Sequence, residues 1–107
     1  MELRVADDII RMSGTVHRIC RDLAHQDADL AKQARRAVSS LGLNFAEGHK
    51  AKGGNRTSRM ESAREAIFAL KIAGAAGYLD PDLVAREADS LDRIVAILWK
   101  LTYRRRT

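Results

Sequence analysis

Apolar residues along this chain recur at helical spacing. Val5, Ile9, Met12, Val16, Ile19 and Leu23 step by four, three, four, three and four positions, so they fall on one face of a helix over residues 5–23. Gly14 lies inside that run without interrupting the stripe and predicts a close packing point in a continuous helix. A second stripe, Leu30, Ala34, Ala37, Val38, Leu41 and Phe45, predicts a helix over 28–48, with Asp27 placed to cap it by accepting a hydrogen bond from an otherwise unpaired amide. After the irregular stretch from Gly48 to Arg56, Ser58 followed by Glu61 fits a capping box and predicts a third helix over 58–77. That segment is rich in small residues, from Ala63 and Ala66 through Ala69, Ala73, Gly74, Ala75 and Ala76, with bulk from Ile67, Phe68, Leu70 and Ile72. Leu79-Asp80-Pro81 is strong punctuation: Asp80 suits the cap, Pro81 the first helical position, and Leu79 a staple against Val84. The stripe beyond it, Leu83, Val84, Ala88, Leu91, Ile94, Val95, Leu98 and Leu101, predicts a fourth helix over 81–103.

Four amphipathic helices of similar length joined by short turns predict an all-α, antiparallel up-and-down four-helix bundle forming one domain over residues 1–107. The composition agrees, with one proline, five aromatic residues and few β-branched runs among 107 residues. No apolar run is long enough for a membrane span and no signal sequence opens the chain, which, with the single Cys20, suits a cytoplasmic protein with no membrane partner. The apolar surface of helices three and four exceeds what one internal seam requires. Ala69, Ala73, Ala76, Ile97 and Trp99 are therefore expected at a contact between copies of the chain.

Charge changes the picture further. The net charge is +5, and it is uneven: residues 1–30 carry a net −2, residues 31–71 a net +6 and residues 72–107 a net +1. Lys32, Arg35, Arg36, Lys50, Lys52, Arg56 and Arg59 in the middle of the chain, and Arg104, Arg105 and Arg106 at its end, are the residues expected to meet the phosphates of RNA or DNA. An acidic protein is the other partner such a field would fit.

Candidate chemistry is sparse. His17 and Cys20 are three apart, but the pair lacks a third metal ligand and a group to orient a nucleophile. His25 falls at a turn and His49 in the basic loop. No Glu-x-x-His pair supports a two-metal site. Gly53-Gly54-Asn55-Arg56-Thr57 lacks the spacing and the Lys-Ser/Thr ending of a phosphate-binding loop. Glu47 and Glu65 each fit an ion pair with an arginine across a helix seam. The sequence thus points away from an enzyme, and no metal or cofactor is implied.

The segment from Gln33 to Gly48, with its core Asn44-Phe45-Ala46-Glu47-Gly48, resembles the signature of the bacterial four-helix bundle family labelled S23, the proteins of intervening sequences in 23S ribosomal RNA genes. Ser62-Ala63-Arg64-Glu65 and then Gly77-Tyr78-Leu79 resemble later motifs of that family, with Glu61 where the family has a glycine. The resemblance marks Asn44, Glu47, Gly48, Ser62 and Glu65 as motif residues. It implies a four-helix bundle and a ring-like homo-oligomer, a pentamer before a dimer. Through the related accessory protein of diversity-generating retroelements, it also implies partnership with a reverse transcriptase and nucleic acid.

Overall fold

The computed structural model describes the backbone of residues 2–48 and 54–103, and the side chains of 4–46 and 60–100. Its elements are α1 (Glu2–Leu23), α2 (Ala28–Gly48), α3 (Gly54–Ala75) and α4 (Pro81–Tyr103), an all-α up-and-down bundle with no strand among the described residues. Each predicted stripe points inward. Val5, Ile9, Met12, Val16 and Leu23 of α1 meet Ala34, Val38 and Leu41 of α2, Ala66, Leu70 and Ala73 of α3, and Leu91, Ile94 and Leu98 of α4 in one buried cluster. Burying each large aliphatic side chain contributes roughly 1.5–3 kcal/mol against the entropy lost on ordering the chain.

The helix ends follow their local chemistry. Asp27 caps α2 as expected, its Oδ1 accepting from the Leu30 amide at 2.9 Å. Pro81 opens α4, and the Asp80 carbonyl accepts from the Val84 amide at 3.0 Å. Leu79 is partly buried against the core. At the end of α3 the Tyr78 amide donates to the Ala73 carbonyl at 2.9 Å and the Gly77 amide to the Gly74 carbonyl at 3.1 Å. This is a Schellman closure, and it needs the left-handed backbone that Gly77 supplies with φ of 81°.

α3 corrects the expected bounds. It ends at Ala75 rather than residue 77, and it starts at Gly54, so Ser58 lies inside the helix and does not cap it. The register explains the early start. Ser40 on α2 and Ser62 on α3 stand level, their hydroxyl oxygens 2.9 Å apart, and the same antiparallel register sets Gly54 level with Gly48. The two helices run alongside each other for their full lengths, and the tertiary contact outweighs a local capping signal.

The four seams are unequal. α2 packs most extensively on α3, followed by α3 on α4 and α1 on α2, whereas α1 and α4 touch least. The α3–α4 seam is tight at Gly74, where a Cβ would stand 3.1 Å from Val84 Cγ2. Small residues do their work here, inside the chain. Ala69 and Ala73, expected at a contact between copies, are buried in the core, because an alanine that admits a close neighbour helix finds one within its own bundle. Ile67 and Leu70 are buried too, while Phe68 and Ile72 face out.

Candidate nucleic-acid interface

The sequence-predicted cations divide into three groups. Lys32, Arg35 and Arg36 lie on α2 and are exposed. Lys50, Lys52, Arg104, Arg105 and Arg106 lie outside the described residues, as do the side chains of Arg56 and Arg59. The described part of the predicted interface is therefore the outer face of α2.

The structure adds α1 to that face. His17 is half-buried beside the α1–α2 seam, and its Nδ1 lies 2.7 Å from the Ser13 carbonyl oxygen. A carbonyl can only accept, so Nδ1 carries the proton, and in the neutral ring Nε2 is left to accept from the Ser39 hydroxyl across the seam at 3.5 Å. The register that sets His17 against Ser39 also sets Arg21, one turn along α1, level with Arg35, one turn back along α2. Arg35 makes itself felt below the surface: burial pushes the Cys20 thiol above its ordinary value, and the Arg35 charge pulls it partly back.

An open cavity of about 480 Å³ runs over this face, bounded by His17, Arg35, Arg36, Ser39, Ser40, Leu43 and Asn44. Asn44 Nδ2 donates to Ser40 Oγ at 3.0 Å, and Ser40 is in turn paired with the buried Ser62. Asn44 and Ser62, two of the motif residues, thus belong to one hydrogen-bonded chain that ties α2 to α3 beneath the cavity. Glu65 is exposed and makes no ion pair with any described residue, contrary to the pairing expected for it. Gly48 closes α2, and the side chain of Glu47 lies outside the described residues.

A second cavity, about 440 Å³, opens along the loose α1–α4 seam among Asp8, Arg11, Thr15, Arg86, Glu87, Ser90, Arg93 and Ile97. Its cations have acidic neighbours: Arg11 is 3.5 Å from Asp8, Arg86 3.4 Å from the buried Glu87, and Arg93 3.2 Å from Asp89. Paired charges of this kind project little field. The α1–α2 face differs in kind, because no described carboxylate lies within 4 Å of Arg35 or Arg36.

Of the residues expected between copies, Ala76 is exposed after α3, Ile97 is half-buried at the α1–α4 cavity and Trp99 is half-exposed. Ile97 and Trp99 point about 200° apart around α4, so a single neighbouring helix would not reach both.

Sequence reasoning missed Arg21 and Ser39 and read His17 only against Cys20. Cys20 is buried and His17 turns instead toward α2. The available signal was the flanking position of His17 and Arg21, one turn apart beside the α1 stripe. No family model matches the chain, and neither a curated protein nor a solved structure does, so the family likeness rests on the motif residues quoted above.

Proposed function

We propose that this chain is a noncatalytic, self-associating scaffold that binds RNA or DNA through the basic face of α1 and α2. The observation that carries the reading is the grouping of Arg35 and Arg36, with no described carboxylate within 4 Å of either, with Ser39 and Asn44 around one open cavity. Guanidinium, hydroxyl and amide donors on a convex helix pair suit phosphate oxygens, which accept only. Self-association multiplies the phosphate contacts per particle, and the exposed Phe68, Ile72 and Trp99 supply apolar surface for it.

The test is a titration with structured RNA and with duplex DNA at two salt concentrations. Binding should weaken as salt rises, and Arg35→Gln should lower the slope of log K against log salt by about one, the share of one phosphate contact. Absence of binding even at low salt, or a slope that Arg35→Gln and Arg36→Gln leave unchanged, overturns the reading.

A further inference from the structure

We infer that the α1–α2 face holds nucleic acid as an unpaired strand, with a base laid on Leu43 and Ile10 and its phosphates on the neighbouring cations. This rests on the nucleic-acid reading above and specifies the form of the ligand. Leu43 is 66% exposed and Ile10 69% exposed, two large apolar side chains standing in water on the face that carries Arg35 and Arg36. The packing of α1 on α2 sets them at one height on the bundle. A Cβ at Gly42 would stand 3.8 Å from Ile9 Cγ2, so Gly42 lies against the buried Ile9. The next residue of each helix, Leu43 and Ile10, turns outward from that contact.

The order of side chains along α2 suits a strand. Lys32, Arg36, Ser39 and Leu43 are all exposed and follow one another at intervals of four, three and four positions. They form one outward row roughly 16 Å long, with cations at one end, Leu43 at the other and the Ser39 hydroxyl between. The open cavity of about 480 Å³ joins these groups, and its walls come from both helices, His17 from α1 and Arg35, Arg36, Ser39 and Leu43 from α2. Phosphate oxygens take the donors, while the flat face of a base covers Leu43 and Ile10 and removes their apolar surface from water. Every base has such a face, so the contact tolerates sequence.

A duplex fits the same groups poorly. Its base faces are stacked on one another, and its outside is sugar and charged phosphate, which offer Leu43 and Ile10 no apolar cover. A helix that reads bases in a duplex enters a major groove about 12 Å wide, and one α-helix with its side chains fills that width. The groups here are divided between two packed helices, which together are roughly twice as wide. Charge alone favours the duplex, because it carries more phosphates per unit length. A preference for the unpaired strand therefore has to come from the apolar pair. Phe68 and Ile72 stand apart on α3 and stay available for self-association.

Fluorescence anisotropy titrations with an oligothymidylate, a blunt duplex and an abasic strand, all of one length, test the inference. At equal salt the oligothymidylate should bind roughly tenfold tighter than the abasic strand, and tighter than the duplex. Leu43→Ala and Ile10→Ala should each weaken oligothymidylate binding by roughly three- to tenfold, without changing its salt slope or the affinity for the other two probes. Arg36→Gln should instead lower the salt slope for all three. Both apolar positions are exposed helix sites where alanine keeps the fold, so circular dichroism and sedimentation should show wild-type helicity and mass. A fall in mass would assign the pair to a contact between copies and overturn the inference. Oligothymidylate binding no tighter than that of the duplex or the abasic strand, or weakened by neither alanine, would also overturn it while leaving the phosphate reading standing. Absence of binding to all three probes even at low salt overturns both.

Discussion

Replacing Ser62 by alanine tests how much the buried hydroxyl chain binds α2 to α3. Ser62 is 7% exposed and its oxygen lies 2.9 Å from that of Ser40, which also accepts from Asn44 at 3.0 Å. Ser62→Ala removes one hydrogen bond, worth about 1 kcal/mol net, and leaves Ser40 with Asn44 as a partner and partial access to water. Ser40→Ala should cost more, about 2 kcal/mol, because it strands the Ser62 hydroxyl in the core and deprives the Asn44 amide of its acceptor. The double variant strands no hydroxyl between the helices, so its cost should fall short of the sum by about 1 kcal/mol. Urea denaturation of the four proteins, followed by far-ultraviolet circular dichroism, gives the coupling directly. Costs that add within about 0.3 kcal/mol would refute the claim that the pair acts as a unit across the seam.

Three further outcomes follow from single positions. Gly77→Ala should destabilise by about 1 kcal/mol, because φ of 81° is strained for any residue with a Cβ; a neutral result in thermal melts would mean that the turn rearranges at no cost. Asp27→Ala should cost about 1 kcal/mol through loss of the cap on the Leu30 amide, and Asp27→Asn should recover most of it, whereas equal losses would point to charge rather than capping. Cys20 makes stability depend on pH in the alkaline range. Its folded thiol holds its proton above the ordinary value, so its contribution is fully present below the unfolded pKa of about 8.5 and is lost as pH rises beyond it. Denaturation midpoints should therefore fall less steeply with rising pH in Cys20→Ala than in the wild type, and identical slopes would exclude burial of the thiol as the cause.

Periodicity and punctuation determined the helices. Stripes at 3.6-residue spacing selected Val5 through Leu23, Leu30 through Phe45 and Val84 through Leu98 as core faces, and Asp27, Asp80 and Pro81 act within the first turn of the helix they open, where sequence alone decides the outcome. What one helix does about another is a different matter. Small residues say that a helix can be approached closely but not by which neighbour, so Ala69 and Ala73 read as surface for a second copy when α3 had already taken α2 and α4 as partners. The start of α3 was misplaced for a related reason: the Ser58-x-x-Glu61 pattern is local, while the register with α2 extends over the whole seam and carries the helix back to Gly54. The basic face shows the same division. Lys32, Arg35 and Arg36 are legible as cations on the outer side of one helix. That His17 and Ser39 meet, and that Arg21 stands level with Arg35, depends on the offset between two antiparallel helices, set by interlocking side chains along the entire α1–α2 seam and encoded at no single position.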